Sequence, residues 1–118
     1  MNFNKSQQEA ILHKDGPMLV LAGPGSGKTA VITQRTLNLI EEHHVNPANI
    51  LVITFTRAAA QEMKHRFLRL AGKEKSHVTF GTFHAVFFMV LKYAYHFESS
   101  NIVTEEQRYQ FMREIISY

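Results

Sequence analysis

The chain has 118 residues and a formal charge of +3, less than one average domain yet long enough for one hydrophobic core. Apolar residues make up 45% and charged residues 19%, which excludes a disordered chain, and the absence of cysteine excludes a disulfide scaffold or a thiolate metal site. No apolar run approaches the ~18 residues of a membrane span, and the first nine residues lack the charged-then-apolar form of a signal peptide, so the expected setting is cytoplasmic, with no membrane partner.

Ser6-Gln7-Gln8-Glu9 has the spacing of a capping box and predicts a short helix from about Gln7. Asp15-Gly16-Pro17 is a turn signal that ends it. Met18 to Ala22 is a continuous apolar run, expected of a strand buried on both faces. A glycine-rich loop follows, then a helix over about 28–43 with Val31, Ile32, Leu39 and Ile40 as its apolar stripe. Asn46-Pro47 breaks that helix, and Ile50 to Phe55 reads as a second buried strand. A helix over about 57–70 places Ala60, Met63, Phe67 and Leu70 at helical spacing, with Gly72 as its cap. Val78 to Phe80 is a third, short strand. A helix over about 84–95 carries Phe87, Val90, Leu91 and Ala94 on one side. Thr104-Glu105-Glu106-Gln107 is a second capping box and opens a last helix running to the end of the chain. Strands alternating with helices imply βαβ units and a parallel sheet. The chain ends inside that last helix, at Ser117-Tyr118, as expected of a segment that continues into a longer protein.

The chemistry concentrates at Gly23-Pro24-Gly25-Ser26-Gly27-Lys28-Thr29, between the first expected strand and the next helix. That is the context of a P-loop. Glycines let the backbone wrap phosphate oxygens closely, and the helix N-terminus adds its positive dipole end. Lys28 is expected to reach the β- and γ-phosphates, and the Thr29 hydroxyl to ligate Mg²⁺. Ala22 stands where the usual pattern has its first glycine; a small residue there only has to end the strand. A P-loop defines a superfold and not a reaction.

Three further segments narrow the reading. Phe3-Asn4-Lys5-Ser6-Gln7-Gln8-Glu9-Ala10 precedes the loop, Thr54-Phe55-Thr56-Arg57-Ala58-Ala59-Ala60-Gln61-Glu62-Met63 follows the second strand, and Gly81-Thr82-Phe83-His84 follows the third. In this order and spacing they resemble the Q motif and motifs I, Ia and Ib of the UvrD/Rep (PcrA-like) group of superfamily 1 DNA helicases, over essentially the whole chain. The resemblance implies a RecA-like, three-layer α/β P-loop NTPase fold with a parallel sheet. Residues 1–118 would be the N-terminal part of its first ATP-binding domain, 1A. It implies that Gln7 hydrogen-bonds the adenine edge of ATP and that Gly23 to Thr29 bind the phosphates. Phe55, Thr56 and Arg57, followed by Thr82, Phe83 and His84, would line a single-stranded-DNA track by stacking and phosphate contact. Residues 57–75 hold six Lys or Arg against two Asp or Glu. This local excess of +4 begins at that track, although Arg66, Arg69, Lys73 and Lys75 also read as a solvated helix face. Relatives commonly have Thr-Asn-Lys where this chain has Thr56-Arg57-Ala58, and Arg where it has Ala30; the resemblance then implies that one basic contact moves, and it does not carry one expected nucleotide contact over to Ala30.

The family's acidic Asp-Glu-x-Gln motif and the arginines of a second RecA-like domain do not occur in these 118 residues. Glu105-Glu106-Gln107 after Asn101-Ile102-Val103 imitates the acidic motif but is explained by the capping box. The expected parent is therefore an ATP-driven single-strand translocase and duplex unwinder, acting at junctions and associated with the nucleoid, with a role such as DNA repair. The segment alone is expected to be catalytically inactive and, with apolar strand edges uncovered, to self-associate. A small P-loop NTPase or kinase and a non-catalytic nucleotide-binding module are the alternatives, although no lid arginines or acceptor site for a kinase are evident.

Overall fold

The computed structural model describes residues 2–72, 77–96 and 104–116. Lys73, Lys75, the Asn101-Ile102-Val103 segment and Ser117-Tyr118 lie outside the described residues. Two compact units divide the chain, residues 1–83 and 84–118.

The first unit begins with α1 (Lys5–Leu12). Its capping box is Asn4 with Gln7, two residues ahead of the predicted Ser6 and Glu9. The Asn4 side chain accepts from the Gln7 N–H at 2.8 Å, and the Gln7 side chain accepts from the Asn4 N–H at 2.9 Å. Asn caps a helix as well as Ser does, and Gln at the third position returns the bond. Ala10 and Ile11 are the buried residues of α1.

Residues 18–22, predicted as a buried strand, are not in a strand. Leu19 and Leu21 are 84% and 87% exposed. An apolar run records a capacity for burial, whereas a strand exists only in a ladder with a neighbour. Among the described residues no strand pairs with this run.

The loop leads into α2 (Lys28–Glu41). Its buried positions are Thr33, Thr36 and Leu37, not the predicted Val31, Ile32, Leu39 and Ile40. The threonines bury without an unmet hydroxyl. Thr33 Oγ1 donates to the Thr29 and Ala30 carbonyls, and Thr36 Oγ1 to the Ile32 carbonyl at 2.8 Å. This back-bonding onto the helix's own carbonyls makes a polar residue acceptable on the inner face. Ile32 is exposed, and Val31, Leu39 and Ile40 are half-buried.

A short 3₁₀ turn (Pro47–Asn49), capped by the Asn46 side chain, precedes β1 (Leu51–Thr54). Then come α3 (Arg57–Ala71) and β2 (Thr79–Thr82). The strands pair in parallel, in the register Leu51 with Thr79 through Thr54 with Thr82. Both are half-buried rather than covered on two faces. The described sheet has these two strands, so the mixed α/β class holds, while the expected three-layer sheet is not seen among the described residues. Ala60, Met63 and Phe67 face inward on α3 as predicted, while Leu70 is half-exposed. Gly72 caps α3 as predicted, its N–H on the Leu68 carbonyl at 2.9 Å. Phe67 is fully buried and sits with Leu37 and Val78 at the centre of the core; its ring lies 5.6 Å from that of Phe80.

α4 (Phe83–Tyr95) starts one residue earlier than predicted and crosses into the second unit, where α5 (Glu105–Ile116) follows. Val86 is its buried residue; Phe87, Val90 and Ala94 of the predicted stripe are exposed and Leu91 is half-buried. The α5 capping box forms as predicted, with the Gln107 N–H on Thr104 Oγ1 at 3.1 Å and the Thr104 N–H on Gln107 Oε1 at 3.0 Å. Glu105 pairs with Arg108 at 2.9 Å on the exposed surface, so this acidic stretch is occupied in starting and bracing a helix. Among the described residues no helix is long and apolar enough to cross a membrane.

Candidate functional site

The loop between the apolar run and α2 has the backbone a phosphate cradle needs. Gly25 and Gly27 have φ of 75° and 81°, a left-handed conformation that costs a side-chain-bearing residue energy and glycine almost none. Ser26 closes the turn: its N–H and hydroxyl both donate to the Gly23 carbonyl, the hydroxyl at 2.6 Å. Gly27 is the N-cap of α2 and provides no side-chain cap. Among the described residues, no side chain caps the helix's first amides, at the end where the dipole favours an anion. Lys28 is exposed and Thr29 half-buried in the first turn.

This loop forms one side of a cleft of about 600 Å³ that also takes in Asn4, Gln7, Met18, Lys28 and Arg35. Gln7 reaches across it: its Nε2 donates to the Ser26 carbonyl at 3.0 Å. Arg35 ties α2 to the other end of α1, donating to the carbonyls of Ala10, at 2.8 Å, and His13. Two residues here were not anticipated. Asn4 had a readable signal, since Asn-x-x-Gln is also a capping pattern. Arg35 had none, because its partners are backbone carbonyls of another helix.

Among the described residues no group of His, Asp or Glu could hold a metal ion alone. A hydroxyl such as that of Thr29 suits a Mg²⁺ that arrives on phosphates, since this ion keeps water and phosphate oxygens and takes few protein ligands.

A second cluster sits where the parallel strands end. Because Thr54 and Thr82 are in register, the residues that follow them emerge side by side. The Phe55 and Phe83 rings are 5.4 Å apart and tilted by 43°. Phe55 is 88% exposed and Phe83 40%. Thr56 is the N-cap of α3, its Oγ1 accepting from the Ala59 N–H at 3.1 Å. Arg57 opens that helix and is exposed. Crevices at the carboxyl ends of parallel strands are where open α/β sheets bind ligands. The structure thus brings Phe55, Thr56, Arg57, Thr82 and Phe83 to one end of the first unit. His84 belongs to the second unit and is exposed. Arg66 is half-buried and Arg69 exposed on α3.

A parallel strand pair joined through a helix, with a glycine loop opening a second helix, defines a mixed α/β chain. The chain belongs to the UvrD/REP helicase N-terminal domain family, whose model matches residues 3–117. It is 46% identical over 91 residues to the ATP-dependent DNA helicase PcrA of Staphylococcus epidermidis, and 43% identical over 91 residues to the protein of that name from Staphylococcus aureus. Each match covers 77% of this chain and 12% of the relative's own length. The chain thus spans about an eighth of these relatives.

Proposed function

We propose that this chain is the nucleotide-binding and single-strand-contacting segment of an ATP-dependent DNA helicase, the N-terminal part of its first RecA-like domain. The observation that carries the reading is the loop. Positive-φ glycines at 25 and 27 lead into an α2 N-terminus with no side-chain cap, with Lys28 beside it and Gln7 across the cleft. Family membership and the ATP dependence named for its helicase relatives support ATP as the nucleotide.

In this reading the loop amides and Lys28 hold the β- and γ-phosphates. The Thr29 hydroxyl holds Mg²⁺ brought by ATP, which would neutralise phosphate charge. Gln7 faces the adenine. The Phe55–Phe83 pair offers an aromatic platform to a base, with Thr56, Arg57 and Thr82 toward the strand's backbone. The parent is an ATP-driven translocase acting at duplex junctions in the cytoplasm, on the nucleoid. The segment alone does not turn over ATP, for want of the acidic motif and the second domain's arginines. It self-associates, a reading supported by the exposure of Leu19 and Leu21.

Calorimetric titration with Mg·ATP tests the nucleotide reading. Measurable binding by the wild type that Lys28→Ala removes is the expected outcome, with no steady phosphate release by either protein. Equal binding by both proteins, or turnover that Lys28→Ala abolishes, contradicts it.

A further inference from the structure

We propose that Gln7 is a positioning residue for the phosphate-binding loop, in addition to facing the base. The inference rests on the reading of this loop as the phosphate site. Both sides of the Gln7 amide are engaged. Its Oε1 accepts from the Asn4 N–H at 2.9 Å, and its Nε2 donates to the Ser26 carbonyl at 3.0 Å, nineteen residues along the chain.

The Ser26 carbonyl is half of a planar trans peptide whose other half is the Gly27 N–H, and the two point in opposite directions. Holding that carbonyl toward α1 therefore turns the Gly27 N–H away from α1. Without the bond, Gly27 leaves the peptide free to flip, since glycine tolerates both signs of φ. A flipped peptide would present an oxygen, rather than an N–H, to an anion. The packing agrees: Gly27 has φ +81°, and a Cβ placed on it would lie 3.5 Å from Gln7 Nε2.

The helix that carries Gln7 is fixed at both ends. The Asn4 capping box fixes its start, and Arg35 of α2 bonds to Ala10 and His13 at its finish. Gln7 is thus held against the loop by a brace anchored in the helix that the loop opens. A primary amide has two N–H donors and two oxygen lone pairs. One of each is used here, and one of each remains for a base edge. A base bound at Gln7 acts on the same side chain that orients the Ser26–Gly27 peptide, so base recognition and phosphate affinity are linked.

Inorganic tripolyphosphate with Mg²⁺, which has no base, separates positioning from base reading. Wild type, Gln7→Met and Asn4→Ala are titrated with tripolyphosphate and with ATP, and helix content is followed by circular dichroism. Gln7→Met should weaken tripolyphosphate binding about fivefold, the effect of one net hydrogen bond, and weaken ATP binding further. Asn4→Ala loosens the start of the helix that holds Gln7 but keeps the Nε2 bridge, and should weaken tripolyphosphate binding clearly less than Gln7→Met does. Loss of ATP affinity alone in Gln7→Met would show that Gln7 reads the base only. An equal tripolyphosphate loss in Asn4→Ala would show that helix stability is responsible; either result overturns the inference. Failure of the wild type to bind tripolyphosphate overturns the phosphate reading beneath it. The wild-type Gln7 side-chain amide resonances give a readout independent of any variant. They should move when tripolyphosphate binds, and their standing still would contradict the linkage.

Discussion

Replacing Phe55 by alanine separates the proposed nucleic-acid contact from folding. Phe55 is 88% exposed and its ring meets Phe83 at 5.4 Å. So little of it is covered that the area term of truncation is small. The tilted ring pair is worth about 0.5–1.5 kcal/mol, so melting should fall by only a few degrees. A base stacked on the same ring is worth about 1–3 kcal/mol, or roughly a 5- to 150-fold loss of affinity. Fluorescence anisotropy with a labelled oligothymidylate at low salt, beside a thermal melt, reads both quantities. Phe55→Leu, which keeps apolar bulk but no flat π-face, should bind as poorly as Phe55→Ala, and Phe55→Tyr should bind nearly as well as wild type. Unchanged affinity in Phe55→Ala, or full affinity in Phe55→Leu, would refute the stacking argument. A collapse of the melt in Phe55→Ala would refute the claim that the residue is spare to the fold.

Phe67→Ala empties the centre of the core and should cost about 3–5 kcal/mol, a large share of the ~5–15 kcal/mol of a typical domain, read as a lower urea midpoint. Thr56→Ala removes the α3 cap and should cost about 1 kcal/mol, largely restored by Thr56→Ser, in the same denaturation assay. Gly27→Ala should destabilise by about 1–2 kcal/mol through its left-handed backbone alone, because the nearest atom to the new Cβ is at an ordinary 3.5 Å; a melt unchanged from wild type would contradict the assigned φ. Single-strand affinity should fall with salt, and Arg57→Ala should lower the slope of log affinity against log salt by about 0.7, the value of one phosphate contact.

The legible parts of the chain were those decided locally. The Thr104 box, the Gly72 cap and the inward face of α3 each follow from neighbours within one or two helical turns, and each formed where the pattern placed it, save that Leu70 at the end of the α3 stripe is exposed. The glycine loop was legible for the same reason, as left-handed backbone at Gly25 and Gly27 leaves few residue choices. Met18 to Ala22 was misread because its apolar side chains state a preference for burial, while a strand also needs a ladder from elsewhere. The α2 face was legible in part, since Ile40 packs against the core, but its most buried positions were missed because two threonines satisfy their hydroxyls on their own helix, so hydropathy ranks them outward while hydrogen bonding lets them turn inward. Arg35 was invisible because its partners are carbonyls, and every residue has one. The meeting of Phe55 with Phe83 needed the strand register, which sequence spacing does not provide.

The central claim is that two separate places on the first unit bind two different ligands. Amide-resolved NMR of the 118-residue chain, titrated first with Mg·ATP and then with oligothymidylate, tests it directly. ATP should shift the amides of Gln7 and of Gly25 through Thr29, and DNA should shift those of Phe55 through Arg57 together with Thr82. Shifts confined to other residues, or one set of amides answering to both ligands, would contradict the account.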